Sequence, residues 1–147
     1  MPPPLPMDLL FAYGTLQVPD IMARVTGKRF QGIPAVLPNY RRSQLKDADY
    51  PGIAPSRGSE TPGTLFRGFD EGDLDRLDRF EGSLYQRRPV TVLTAPGVQK
   101  TAWTYVVRKR FRNRLTRRSW HLEQFMDAGY GRFVTTFVER PWDRRQE

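Results

Sequence analysis

The sequence contains no cysteine, which excludes disulfides, a thiolate nucleophile and cysteine-ligated zinc or iron–sulfur clusters. A fold that needs no disulfide is compatible with a reducing compartment. Histidine is nearly as scarce. His121 stands alone, so a multi-histidine metal site is excluded and any Ser-His-Asp triad would have to use that residue. Acid–base work, if there is any, then falls most naturally to Asp, Glu, Tyr or Lys. No apolar run approaches the roughly 20 residues of a membrane-spanning helix. The stretch Met1-Pro2-Pro3-Pro4-Leu5-Pro6-Met7 has neither the basic flank nor the apolar core of a secretory signal. Its prolines favour an extended tail, and a cytoplasmic location is the expectation.

What is present suits one folded domain. The chain has 147 residues, 38% of them hydrophobic and 12% aromatic, too many aromatics for a disordered chain. We read residues 8–140 as the domain, between a proline-rich tail at 1–7 and a C-terminal tail at 141–147. Charge is uneven. The formal net charge is +8; residues 1–99 carry 12 basic and 11 acidic side chains, whereas 100–147 carry 12 and 5. Much of the excess lies in Arg108, Lys109, Arg110, Arg112, Arg114, Arg117 and Arg118. Such a cluster can attract nucleic acid or another anionic surface. Equally, it can be a solvated hairpin end or loop.

Asp8-Leu9-Leu10-Phe11-Ala12-Tyr13 is a short apolar run broken by Gly14 and reads as a buried strand. A short helix opens at Pro19-Asp20 and stops at Gly27. Residues 30–68 hold β-like runs, clearest at 33–37 and 63–66, with Tyr50-Pro51-Gly52-Ile53 read as a turn between them. Helical spacing returns from Asp70 to Glu81. A hairpin follows around Ala95-Pro96-Gly97. Ser119 is the expected cap of a last helix carrying Trp120, Phe125, Met126 and Tyr130. This order argues for an α+β fold with a mainly antiparallel or mixed sheet.

Three segments offer chemistry. At Tyr13-Gly14-Thr15-Leu16 a strand ends in a glycine turn, whose backbone N–H groups can hold a carboxylate or a developing oxyanion. Gly14, lacking a Cβ, would allow a ligand close. An ordinary strand–turn junction explains the same residues. In the second segment Leu74, Leu77 and Glu81 are spaced i, i+3, i+7 and share a helix face. That face should meet the core, and burial together with the negative helix end would raise the Glu81 pKa into the range of a general base. Alternatively Glu81 tilts to solvent or pairs with Arg79, Arg87 or Arg88. In the third, Arg87 can bind a carboxylate or orient Glu81, and Tyr85 can donate a hydrogen bond to a ligand. Packing at the start of a strand is the plainer account of both. Tyr105 can line a pocket or fill the core. His121, without a second histidine, is expected to be structural or exposed.

Together, Tyr13-Gly14-Thr15-Leu16 after an N-terminal strand and Leu77-Asp78-Arg79-Phe80-Glu81-Gly82-Ser83-Leu84-Tyr85-Gln86-Arg87 before a Val-Thr-Val strand resemble the γ-glutamylcyclotransferase-like superfamily. The Tyr-Gly-Thr-Leu loop looks nearest the γ-glutamylamine cyclotransferase branch. The likeness covers about residues 8–138, with Tyr50-Pro51-Gly52-Ile53 and Gly63 in the expected order. It implies a small mixed or antiparallel barrel-like sheet with flanking helices, and a pocket between the loop and the helix-end glutamate. It further implies cyclisation of a γ-glutamyl amine, amide or peptide to 5-oxoproline and a free amine, with no metal or cofactor. By that likeness Glu81 is the general acid/base, and Tyr13, Gly14, Thr15, Leu16, Tyr85, Arg87 and Tyr105 surround the substrate. The expected partner is this small molecule, not nucleic acid or a membrane; oligomeric state is open. Two other readings stand beside it: a non-catalytic small-ligand-binding protein of the same fold, and a nucleic-acid-associated protein acting through 108–118.

Overall fold

A computed structural model describes residues 8–138; the expected tails at 1–7 and 141–147 lie outside these. Five strands, β1 (Leu9–Ala12), β2 (Gly32–Gln44), β3 (Pro51–Arg67), β4 (Tyr85–Thr94) and β5 (Val98–Val107), close into a barrel in the order β1-β3-β2-β4-β5. The sheet is mixed. β1 runs parallel to β5, meeting it at Leu10↔Trp103, and the other neighbours are antiparallel. Alternation along β1 explains its unbroken apolar run, because both faces are covered. Phe11, and Tyr13 just past the end of β1, join Leu37, Ile53, Leu65, Val92 and Val106 in a core inside the barrel. Leu10 and Ala12 join a second core with residues of every longer helix.

Those helices follow from local signals. α1 (Pro19–Thr26) begins with proline at its first position and ends at Gly27, whose φ of 78° suits a residue without a Cβ. α2 (Glu71–Glu81) is opened by a reciprocal capping box between Asp70 and Asp73. The Asp73 carboxylate is fully buried and bonded by Lys28 and Arg76. Leu74, Leu77 and Phe80 of α2 are buried against the barrel.

Two expectations fail. Tyr50-Pro51-Gly52-Ile53 is no turn, because Pro51 opens β3 and Gln44↔Pro51, Ser43↔Gly52 and Arg42↔Ile53 pair across the hairpin. The reversal falls earlier, around Asp47 at φ 56°. Proline at the first residue of a strand removes no interior ladder bond. Nor does Ser119 cap a helix. The last helical stretch runs over 122–138, with π-helical turns at Phe125–Gly129 and Val134–Val138, and His121 takes the cap position. Residues before it are held extended along β2: Thr116 N–H donates to Gln44 O at 2.9 Å and Gln44 N–H to Arg118 O at 2.9 Å. Trp120 therefore precedes the helix, its indole N–H bonded to Asp49 O at 2.9 Å. Phe125 is buried as expected of the helix, while Met126 is exposed.

Candidate active site

A cavity of about 410 Å³ opens where the end of β1, the C-terminal end of α2 and the starts of β3 and β4 converge, roofed by Phe133, Thr136 and Phe137 of the last helical stretch. Tyr13, Gly14, Thr15, Leu16, Glu81, Tyr85 and Tyr105 all line it. Glu81, the last residue of α2, is half-buried there, with Leu77 of the same face fully buried. Its charge is felt by two tyrosines. Burial first, and then the Glu81 carboxylate, push the Tyr13 phenol well above the usual tyrosine range. Burial, the bond to Asp78 and the charges of Asp78 and Glu81 raise Tyr105 in the same direction.

Three tyrosine hydroxyls at the cavity are committed to the scaffold. Tyr13 Oη donates to Tyr105 O at 2.6 Å, Tyr85 Oη to Pro51 O at 2.6 Å, and Tyr105 Oη to Asp78 Oδ1 at 2.7 Å. Tyr85, expected to donate to a ligand, lines the cavity with its hydroxyl hydrogen on the first residue of β3. These rings act as walls.

Arg87, expected to bind a carboxylate or orient Glu81, lies beside the helix that carries Glu81. It is not among the lining residues, and its carboxylate is Asp78: Nε lies 2.8 Å from Oδ1 and a terminal nitrogen 3.3 Å from Oδ2. The guanidinium also covers the Trp103 ring at 4.4 Å. Asp78 sits one helical turn before Glu81, so the Tyr105–Asp78–Arg87 brace ties the glutamate-bearing end of α2 to β4 and β5. Asp78 carries no sequence signal beyond that i, i+3 relation.

The loop is positioned from the far side. Thr15–Gln17 forms a 3₁₀ turn in which Gln17 N–H donates to Gly14 O at 3.1 Å. Arg42, from β2, donates to Tyr13 O at 2.8 Å and Pro62 O at 3.2 Å, while its guanidinium covers Trp120 at 5.2 Å. Burial works against that cation and lowers its pKa. In a planar trans peptide the carbonyl and the following N–H point oppositely. A Tyr13 carbonyl turned to Arg42 therefore sends the Gly14 N–H the other way. Sequence reasoning missed Arg42, since 29 residues separate it from Tyr13. The need for glycine at 14 also has another source than ligand approach. A Cβ there would lie 2.9 Å from Pro51 Cγ, so the loop and the start of β3 could not meet.

His121 is exposed and does not line this cavity. The basic segment is more than a hairpin end. It makes a 3₁₀ helix at Lys109–Arg114 and then pairs with the end of β2, where Lys46 N–H donates to Arg114 O at 2.8 Å and Leu45 bridges Leu115. Arg114 reaches the cavity lining.

Against known proteins, the family model described as gamma-glutamyl cyclotransferase, AIG2-like, matches residues 10–123. The chain belongs to this family. Both sequence motifs fall inside the matched span, as does the cavity apart from its roof of Phe133, Thr136 and Phe137. Among curated members, AIG2-like protein A of Arabidopsis thaliana is 29% identical over 135 residues, covering 90% of this chain and 81% of that protein. A solution structure from the same plant superposes with a TM-score of 0.69 at 28% identity, covering 90% of this chain and 80% of the other. A solved gamma-glutamyl cyclotransferase gives a TM-score of 0.61 at 21% identity, over 69% of this chain and 66% of that one. That last likeness establishes the shared fold, the α+β barrel with flanking helices. Among the described residues, no helix is long and apolar enough to cross a membrane.

Proposed function

We propose that the protein cyclises a γ-glutamyl amide, amine or peptide, releasing 5-oxoproline and a free amine. One observation carries this reading. Glu81 and the Gly14–Leu16 loop, the two elements such a reaction needs, line one cavity.

The glutamyl α-ammonium is mostly protonated near pH 7 and must lose a proton to become a nucleophile. Glu81 takes that proton. The freed nitrogen attacks the γ-carbonyl carbon, a C–N bond closes the five-membered ring, and charge develops on the carbonyl oxygen. N–H groups of the 14–16 loop serve the α-carboxylate or that oxyanion. The bond from the γ-carbonyl carbon to the departing nitrogen then breaks, and Glu81 delivers its proton there. Three protons on the α-ammonium become one on the lactam nitrogen and two on the leaving amine, which departs as an ammonium. No water is consumed. Because the nucleophile and the carbonyl belong to one molecule, a cavity that holds the substrate folded back supplies much of the rate.

The test is 5-oxoproline release from a panel of γ-glutamyl amides, peptides and amines, with wild type beside Glu81→Gln. Loss of the base is expected to lower kcat by at least about 10²-fold with the fold intact by circular dichroism. A Glu81→Gln protein that turns over at the wild-type rate would sink the assignment. Saturable binding without product across the whole panel would instead make this a binding protein.

A further inference from the structure

Arg114 brings the basic segment to the site. It lines the cavity that Glu81 and the 14–16 loop line, and it comes from the segment that holds Lys109, Arg110 and Arg112. Among the described residues no carboxylate lies within ion-pair distance of it, whereas Arg29, Arg76, Arg87 and Arg132 each pair with an aspartate. Its guanidinium rests against the Phe111 ring at 4.9 Å. Its backbone is fixed, since Arg114 O accepts from Lys46 N–H at 2.8 Å. An anchored arginine with unspent donors at a cavity is a receptor for a carboxylate or similar anion.

Burial indicates which end of the substrate it meets. Gly14, Thr15 and Leu16 are buried, whereas Arg114 is exposed, so the loop marks the inner wall and Arg114 the mouth. On the cyclisation reading above, on which this inference rests, the glutamyl half goes inward to Glu81 and the loop. The leaving amine then points to the mouth.

We propose that Arg114 is a specificity-determining residue that selects leaving amines bearing a carboxylate. The substrates are then γ-glutamyl amino acids or short peptides with a free C-terminus. Cationic leaving amines such as polyamines meet Arg114 together with its basic neighbours and are disfavoured by like-charge repulsion.

The experiment compares γ-glutamyl-alanine, γ-glutamyl-alaninamide and γ-glutamyl-putrescine on the full chain, on Arg114→Gln and on Arg114→Glu. Wild type is expected to favour the free acid over the amide by about tenfold in kcat/KM, mostly through KM, between the worth of an exposed pair and that of a charged hydrogen bond. Arg114→Gln brings that ratio close to one, and Arg114→Glu moves the preference toward putrescine. A ratio unchanged by Arg114→Gln overturns the proposal. So does an equal loss on acid and amide, which would put the glutamyl carboxylate on Arg114. Calorimetric binding of the same compounds keeps the two readings separable. Absence of 5-oxoproline refutes the reaction, while the acid-to-amide affinity ratio in wild type and Arg114→Gln still decides the role of Arg114.

Discussion

Replacing Arg42 with methionine separates what holds the loop from what merely surrounds the ligand. Arg42 Nη1 lies 2.8 Å from Tyr13 O and 3.2 Å from Pro62 O. The bond to Pro62 is exposed, so water can replace it; the bond to Tyr13 lies further in. A hydrogen bond from a charged donor contributes about 1.5–3 kcal/mol, and its loss leaves a carbonyl without that donor. Cover of the Trp120 ring at 5.2 Å adds about 0.5–1 kcal/mol. Methionine keeps some packing and avoids burying a guanidinium, which offsets part of this sum. The net expectation is a loss of about 2 kcal/mol, or about 6 °C in Tm for a chain of this size.

Function should suffer in a particular way. With Tyr13 O released, the Tyr13–Gly14 peptide can rotate and the Gly14 N–H loses its aim. A misplacement on the scale of an ångström costs up to about 10²-fold in rate. The loss should fall on kcat more than KM, because the walls of the cavity are unchanged. Arg42→Lys, which keeps the charge and one donor, should recover part of both. Urea unfolding gives the stability and steady-state 5-oxoproline release the kinetics. A methionine variant that loses stability yet keeps kcat within twofold of wild type would refute the positioning argument.

The brace under Glu81 makes a second prediction. Tyr105→Phe removes the 2.7 Å bond to Asp78, which keeps Arg87 as a partner, so stability should fall by about 1–2 kcal/mol with KM for γ-glutamyl substrates little changed; a KM rise above about tenfold would place that hydroxyl on the substrate. The third concerns pH. Tyr13 and Tyr105 have native pKa values raised above 10.0, so they hold protons that the unfolded chain releases, and their stabilisation is complete below pH 10 and declines as pH rises beyond it. Their tyrosinate absorbance should emerge only with loss of near-ultraviolet circular dichroism, and ionisation of both in the intact fold near pH 10 would contradict the burial argument.

Local signals carried the sequence reading wherever short-range physics decides. The β1 run, the proline and glycine that bound α1, the helical spacing of α2 and the hairpin around Gly97 are all set by neighbours within a few residues. Misreadings cluster where distant partners decide. Tyr50-Pro51-Gly52 has the composition of a turn, and only pairing with Ser43 and Gln44 makes it a strand. Ser119 has the chemistry of a cap, but the bonds of Thr116 and Arg118 to Gln44 hold the preceding chain extended. At the site the same division holds. The 3.6-residue period puts Glu81 on the face of the buried Leu77. That Arg87 would find Asp78, or that Arg114 would reach the cavity, depends on barrel closure, which no local pattern encodes.

The chemical poverty of the chain then acquires a meaning. Cysteine is absent and the single histidine does not line the cavity. Three of the lining tyrosines, Tyr13, Tyr85 and Tyr105, donate their hydroxyl hydrogens to protein acceptors. A hydrolase built on these walls would need a positioned water and a general acid beside its base. Cyclisation asks for less, because the substrate carries its own nucleophile. One carboxylate can move the proton from the attacking nitrogen to the departing one, since both are bonded to the same carbon at the tetrahedral stage. On the proposed reaction, what the protein must then supply is restraint: a 14–16 loop whose preceding carbonyl is held by Arg42, aromatic walls locked by their own hydroxyls, and a glutamate held at a helix end by the brace through Asp78. Spending polar groups on rigidity is the sensible use of them where proximity, more than side-chain chemistry, lowers the barrier.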